Sequence, residues 1–504
     1  MEYRLRPAIE REVPSVCPVC LTALTARLRL EGEGVVILKT CPKHGQFEDV
    51  YWSDAALLQR FLRFGLDGES QAEPNDRLEG CPSNCGLCTQ HRTPTLLANI
   101  DLTDRCDLRC PICFARSAEG GAAEPSIQQL EEMMRALRSQ RPVGCQAVQF
   151  SGGEPTLRED LPTIIRMARR MGFSQIQIAT NGLRLAQMPG LASQLRKSGL
   201  DTVYLQFDGV TSEAYRLTRG RDLLDAKERS VKVCRESGME SLVLVPTVAR
   251  GLNDDQLYAI VKYARQNTDI VRGVNFQPVS FSGRIDLAER TARRITVSDV
   301  LRLLEEQSDG RIARDDFYPV PFVDPIARLI ETESGQPQAR FSIHPCCGAA
   351  TYLYISREGP VPITRFLDVE RLMERIKDSV EKSDGSALGR LRARGTILKQ
   401  LHSFIDETRA PADLHISGLL RGVLKSGTKD ALREFHRKTL FIGVMHFQDL
   451  YNMDLNRLRR CGIHYATPDG RIIPFCAYNN IHRRFADGQG KCRVCEEKRS
   501  SEDL

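Results

Sequence analysis

The stretch Asp104-Arg105-Cys106-Asp107-Leu108-Arg109-Cys110-Pro111-Ile112-Cys113-Phe114 governs the reading of the whole chain. It follows directly on Leu97–Leu102, a run that reads as a strand. Three thiolates within eight residues suit three irons of one [4Fe–4S] cube, leaving the fourth iron open for a ligand. A zinc knuckle is the plainer alternative, but zinc sites usually use paired CxxC spacings. Further on, Gln149-Phe150-Ser151-Gly152-Gly153-Glu154-Pro155 closes the next strand candidate, Ala147–Ser151. Paired glycines at the C-terminal end of a strand let backbone polar groups approach a ligand closely.

Outward from these two loops the pattern repeats. Further strand candidates are Gln175–Thr180, Thr202–Phe207, Leu242–Val248 and Gly273–Val279, with amphipathic helices between them. One helix opens on an N-cap Ser126 and carries Ile127, Leu130, Met134 and Leu137 on one face. Another is expected from Asn253, with Asp254 and Asp255 in its first turn. Strands alternating with helices predict an α/β fold, a partial (β/α)6 barrel of the TIM type whose ligands bind at the C-terminal strand ends. With 504 residues, 41% hydrophobic and 27% charged, the chain has material for several globular domains. No apolar run approaches the ~20 residues that span a bilayer. The charged start MEYRLRPAIERE has no signal-peptide apolar region, so a cytoplasmic location is expected.

The chain has 17 cysteines, and in a reducing compartment grouped thiols point to metal rather than disulfides. Only Cys145 and Cys234 stand alone, expected as buried free thiols. Cys17-Pro-Val-Cys20 with Cys41-Pro-Lys-His44 suits one tetrahedral ion, structural zinc or a rubredoxin-like iron, with His44 a ligand or a brace of the loop. Cys81, Cys85 and Cys88 repeat the CxxxCxxC spacing and predict an auxiliary cube completed by Cys346 or Cys347, against a zinc site with the same ligands. Cys461, Cys476, Cys492 and Cys495 form a last group, for a complete [4Fe–4S] cluster or for zinc. Residues 1–75 therefore read as a metal-ribbon domain, 76–95 as an auxiliary cluster loop and 96–290 as the barrel. Residues 291–440 read as mostly helical, and 441–504 as a C-terminal iron–sulfur domain. His446, Tyr451 and Asn452 are candidates for lining a substrate channel, but they, like Tyr465 and Tyr478, are expected to pack or hydrogen-bond. The formal charge is +6. Its excess sits in Arg390–Lys438, a solvated face or a surface for phosphates or anionic lipid headgroups.

CxxxCxxC after the first barrel strand, with GGEP after the second, resembles the radical S-adenosylmethionine (SAM) enzymes. The resemblance implies that Cys106, Cys110 and Cys113 hold the catalytic cluster, that SAM chelates its open iron, and that the edge Gly152, Gly153 and Glu154 receives the SAM amino group. Thr180, Asn181, Gln206, Asp208, Thr247, Asn275 and Gln277 end the later strands, where the family holds ribose and adenine. Members often have an aromatic residue before the third cysteine; here Ile112 stands there and Phe114 follows.

The order CPVC, CPKHG, CPSNCGLC, CDLRCPICFA, FSGGEPT, the Cys346–Cys347 pair and the tail MHFQDLYNMDLNRLRRCGIHYATPDGRIIPFCAYN resembles the tetraether-lipid-synthase group over nearly the full length. That resemblance implies three [4Fe–4S] clusters and one rubredoxin-like mononuclear iron. It also implies hydrogen abstraction from unactivated C–H bonds and the joining of two lipid alkyl chains, with 291–440 facing lipid. The partners expected are a lipid substrate at the inner face of the membrane and a reductant such as ferredoxin or flavodoxin, for a monomer that binds no nucleic acid. Relatives in that group imply an alternative, C-methylation of a pterin-type cofactor from a folate-type carbon donor. The pterin reading predicts a polar ring pocket, where lipid coupling predicts a long apolar groove. A non-catalytic, metal-stabilised nucleic-acid binder is the distant alternative; 19 Phe, 12 Tyr and 1 Trp, with no recognisable nucleic-acid module, weigh against it.

Overall fold

A computed structural model describes residues 9–68, 81–117 except 83, 124–356, 359–383, 386–412, and 435–483 except 436. Cys492, Cys495 and much of the basic stretch Arg390–Lys438 lie outside the described residues.

The first sheet is an antiparallel meander in sequence order: β1 (Arg11–Val16), β2 (Ala23–Glu31), β3 (Gly34–Cys41) and β4 (Gly45–Trp52). Alternation along β2 turns Ala26 and Leu28 inward, where they join Val35, Ile37 and Trp52 in the main core. The helix Ala55–Leu62 follows, capped by Asp54, whose carboxylate accepts from Leu57 N at 2.9 Å.

The barrel is parallel and in the expected order: β5 (Leu97–Thr103), β6 (Ala147–Gly152), β7 (Gln175–Thr180), β8 (Thr202–Gln206), β9 (Ser241–Val245) and, past the short β10 (Thr247–Val248), β11 (Val271–Pro278). The helix Ile127–Arg138 starts in a capping box: Ser126 Oγ accepts from Gln129 N, and Gln129 Oε1 accepts from Ser126 N. The helix expected from Asn253 begins instead at Leu257. Asn253 is fully buried; its Nδ2 donates to Asp208 O at 2.9 Å and to Thr247 O at 2.8 Å, so it ties two strand ends together rather than capping.

The sheet also runs past both edges of the six-strand barrel. The segment 291–440 holds helices Val297–Gln307, Asp324–Ser334 and Val369–Glu381, but also β12 (Tyr318–Pro319), β13 (Gly348–Ile355) and β14 (Pro360–Pro362). β15 (Thr439–Met445) pairs parallel with β11 and antiparallel with β13. At the other edge β16 (Ile463–Ala466) pairs parallel with β5 and antiparallel with β17 (Ile472–Pro474). Continuous apolar runs such as Gly348–Ile355 cannot be told from buried helix by periodicity alone.

The ribbon is seated on the barrel by buried polar contacts. Ser15 Oγ donates to Met453 O and Lys39 Nζ to Leu450 O, both at 2.6 Å. Arg294 lies between Asp49 of the ribbon and Asp449. Among the described residues no helix is long and apolar enough to cross a membrane.

Candidate functional site

The cysteine loop leaves the C-terminal end of β5 and is clamped from two sides. Gly153 N donates to Thr103 O at 2.7 Å and Glu154 N to Arg105 O at 2.8 Å. A Cβ on Gly152, whose φ is 129°, would sit 2.2 Å from Thr103 O; one on Gly153 would sit 2.2 Å from Arg105 O. The paired glycines are thus required for β6 to lie directly against the loop. On the far side Arg284 N donates to Cys113 O at 2.9 Å and Arg284 Nη1 to Cys110 O at 2.8 Å. Gly153→Ala is expected to push the loop off β6 and weaken SAM binding by at least about tenfold, a 1.4 kcal/mol change; unchanged affinity by equilibrium dialysis would rule this role out.

Glu154 is fully buried. Its carboxylate accepts from Thr156 N, Thr156 Oγ1, Thr180 Oγ1 and Asn181 N, at 3.1, 2.5, 2.7 and 2.7 Å. Burial raises its pKa against the pull of those donors. In this structure the side chain fastens Thr180–Asn181 to the glycine loop.

Three cations beside the cysteines are invisible in the sequence. Arg284 is one, and Arg219 and Lys227 are the others. Arg219 Nη2 donates to Asp208 Oδ1 at 2.9 Å and its guanidinium reaches the Cys110 sulfur. Asp208 also accepts from Thr218 Oγ1 at 2.9 Å and Thr247 N at 3.0 Å, so its oxygens orient Arg219. Fully buried Lys227 donates to Asn181 O and Gln206 Oε1, and burial lowers its pKa to about 7 against the pull of Asp208. Burial pushes the Cys106 thiol up to about 12; a thiolate there calls for a cation, as a bound metal cluster provides. Three sulfurs on one loop with positive charge behind them fit an iron–sulfur group and the carboxylate of SAM.

The other strand-end residues bound a polar lumen. Asn275 Nδ2 donates to Tyr204 Oη, and Gln277 Nε2 reaches the same oxygen at 3.4 Å. Because β9 separates β8 from β11 in the sheet, these side chains meet inside the barrel. Gln177 Nε2 donates to Gln149 Oε1, and Gln149 Nε2 to Asn99 Oδ1, each at 2.7 Å. At the rim a cleft is lined by Ile112, Phe114, Thr247, Gln277, Phe475 and Asn480. Phe114 is 5.7 Å from Phe475, which stacks on Phe447 at 3.9 Å.

In the ribbon, Cys17, Cys20, Cys41 and His44 offer ligand atoms that all lie within 4.8 Å of one another. Cys20 Sγ is 3.8 Å from Cys41 Sγ, and His44 Nδ1 is 3.4 Å from Cys41 Sγ. This is a three-sulfur, one-nitrogen set suited to a tetrahedral ion.

The remaining cysteines meet across long separations. Cys85 lies within electrostatic reach of Cys81, Cys88 and Cys461, while Cys347 is within reach of Cys461 and Cys476. Cys346 instead faces Tyr51 Oη at 3.8 Å. Arg457 is buried among Cys346, Cys347 and Cys476. Cys145 and Cys234 are buried free thiols. Tyr465 stacks on Tyr478 at 4.2 Å.

A model of the radical SAM superfamily matches residues 100–264, and one described as the HMPTM N-terminal zinc ribbon domain matches residues 9–53. Over 481 residues, 94% of each chain, the sequence is 45% identical to the 7,8-dihydro-6-hydroxymethylpterin dimethyltransferase of Methanocaldococcus jannaschii. It is 35% identical over 195 residues to the GTP 3′,8-cyclase of Syntrophomonas wolfei subsp. wolfei, 38% of this chain and 59% of that one. Among solved structures, Streptococcus suis SuiB bound to precursor peptide SuiA is similar at 16% identity and a TM-score of 0.37, over 59% of this chain and 69% of that one, too low to carry an argument.

The near-full-length match overturns the expected kinship with tetraether lipid synthases, and with it lipid C–C coupling and a lipid partner at the membrane. The physical reason is that the motifs carrying that resemblance are those expected to hold metal and SAM. They carry no information about the substrate.

Proposed function

Because this chain belongs to the family of the radical SAM 7,8-dihydro-6-hydroxymethylpterin dimethyltransferases, we propose that it is a C-methyltransferase acting on a dihydropterin. The observation that carries this reading is the barrel lumen. Interiors of (β/α) barrels are usually filled by branched apolar side chains, whereas this one presents Asn99, Gln149, Gln177, Tyr204 and Asn275. An alkyl chain there would leave the Asn99 amide nitrogen and Gln177 Oε1, the two ends of the bonded amide row, unpaired at about 1–3 kcal/mol each; a pterin ring would offer them partners.

When bound, the cluster and SAM supply radical chemistry able to take hydrogen from an unactivated C–H. The chain's own part is placement and shielding. Cys106, Cys110 and Cys113 are the proposed cluster ligands. Arg219 and Lys227 would set positive charge behind the loop for the SAM carboxylate, and Glu154 fastens Thr180–Asn181 to the glycine loop that would receive SAM. Phe447 and Phe475 stack on one another beside Ile112 and Phe114 and make that side of the cleft apolar. A reductant of the ferredoxin or flavodoxin type is the proposed electron source.

Two auxiliary [4Fe–4S] clusters are proposed from the remaining grouped cysteines, with Cys347, which faces Cys461 and Cys476, rather than Cys346 as a ligand. Cys81, Cys85, Cys88, Cys461 and Cys476 belong to that set, with Cys492 and Cys495 as its remaining members. In the ribbon we assign zinc rather than iron, since His44 supplies a nitrogen and the matching ribbon family is a zinc ribbon.

Cluster-loaded protein given SAM, a low-potential reductant and 7,8-dihydro-6-hydroxymethylpterin should release 5′-deoxyadenosine and pterins heavier by one and then two CH2 units. Mass spectrometry with label in the SAM methyl group or in a methylene-folate identifies the carbon donor. SAM cleavage with no pterin product, or stimulation by lipid alone, would sink the reading.

A further inference from the structure

We propose that the carboxamide ladder Asn99–Gln149–Gln177 reads the 2-amino-4-oxopyrimidine edge of the pterin and so decides which ring systems enter the barrel. This inference rests on the dihydropterin reading above and names the residues that deliver its specificity.

Register brings the ladder about. Asn99 of β5 stands opposite Gln149 of β6, and Gln149 opposite Gln177 of β7, so the three side chains share one face of neighbouring parallel strands. The next residue in the same register is Thr202 of β8, two positions before Tyr204. Tyr204 bonds Asn275 across the lumen, which fixes this face as the inner one. Asn99 and Gln149 are almost fully buried, at 1% and 9% exposure, so the ladder lies beneath the rim and not on the surface.

Each carboxamide carries two N–H donors and a carbonyl acceptor. The two internal bonds use one N–H of Gln177, one N–H and the carbonyl of Gln149, and the carbonyl of Asn99. Among the described residues the Asn99 amide nitrogen and Gln177 Oε1 have no hydrogen bond. Whichever way the chain of amides runs, one end offers a donor and the other an acceptor. A 2-amino-4-oxopyrimidine edge carries the complement: an exocyclic amine and N3–H as donors, O4 and N1 as acceptors. The paired donor and acceptor of a single carboxamide is the geometry by which Asn and Gln read base edges in nucleic acids.

Close packing holds the Asn275–Tyr204 pair in place on the opposite wall. Gly443 of β15 stands in register with Asn275, and a Cβ there would come within 2.8 Å of Asn275 Oδ1 and 2.6 Å of the Phe441 ring. A side chain at that position would drive Asn275 from its place against Tyr204.

The test uses the full-length, cluster-loaded protein and two ligands, 7,8-dihydro-6-hydroxymethylpterin and its counterpart with a 2-oxo group in place of the 2-amine. Wild type should bind the pterin at least about tenfold more tightly, the discrimination of a site whose polar groups would otherwise be left unpaired. Gln149→Leu and Gln177→Leu should each weaken pterin binding by at least about tenfold and bring the two ligands within about twofold. SAM binding, made at the strand ends, checks that the variants fold. Where a leucine variant fails that check, Gln149→Glu decides, because it keeps the shape and removes both N–H donors; it too should lose the preference. Wild-type methylation with unchanged preference in all folded variants overturns the ladder and leaves the methyltransferase standing. Wild type that neither binds nor methylates the pterin overturns both.

Discussion

Cys110→Ala protein should form 5′-deoxyadenosine at no more than about one-thousandth of the wild-type rate, a small part of the million-fold or greater accelerations of enzymes. Cys110 is the most buried of the three loop cysteines; Arg284 holds its carbonyl and Arg219 reaches its sulfur. Removing that sulfur leaves a loop with two thiols, too few for three irons, and leaves Arg219 to Asp208 and Thr247. Iron should fall by one cluster's worth, while the metal of the ribbon stays. The measurement is anaerobic SAM turnover beside iron and zinc analysis. Turnover that survives Cys110→Ala and is lost with Cys85→Ala would move the catalytic cluster to the other CxxxCxxC loop.

Arg294→Leu should be the most damaging change away from the cysteines. Its guanidinium bonds Asp449 at 2.5 and 3.1 Å and Asp49 at 2.6 and 3.0 Å, and lies 4.6 Å from the Phe281 ring. All three charged side chains are nearly or wholly buried. Leucine would leave buried Asp449 without its cation, while Asp49 keeps Arg290, at about 3–5 kcal/mol, a large part of a typical stability of about 5–15 kcal/mol. The ribbon should then become the first part of the chain cut by a protease.

The same network sets an acid limit. Burial by itself would raise the Asp449 pKa, but Arg294 outweighs it and holds the group at about 2. The folded value is below the unfolded one, about 3.9. The stabilisation is therefore complete above that value and is lost as pH falls towards 2. In Arg294→Leu the sign reverses: the stranded carboxylate titrates above its unfolded value, so the penalty is full at neutral pH and fades on acidification. Urea melts of both proteins from pH 7 to pH 3 should show a stability gap that narrows as pH falls. A gap independent of pH would mean that Asp449 is not held by Arg294.

Ribbon and barrel were legible for different reasons. Six βα units announce themselves because each strand and helix carries its own period, and the two CxxC-type knuckles of the ribbon sit on tight turns whose spacing is local. The helix start at Asn253 misleads because its side chain is drawn into tertiary bonds with Asp208 and Thr247, which outweigh a capping preference. β13 and β15 were hidden because strands that join a sheet from a distant part of the chain need no βα period of their own.

What the chain alone determined is the loop proposed to hold the catalytic cluster. Cys106, Cys110 and Cys113 lie within one turn-rich segment, so their chemistry follows from covalent spacing, and the glycines at 152 and 153 mark where the next strand must touch it. Tertiary structure decided everything that depends on residues far apart in sequence. Arg219, Lys227 and Arg284 become site residues only when helices and loops fold back over the cysteines. Cys347 meets Cys461 and Cys476 only through the sheet. The amides at 99, 149 and 177 are three unremarked polar residues until parallel register aligns them in one lumen. Metal ligation needs a few atoms at short covalent range, whereas a substrate pocket is a surface assembled from many strands, and its polarity exists only once the barrel has closed.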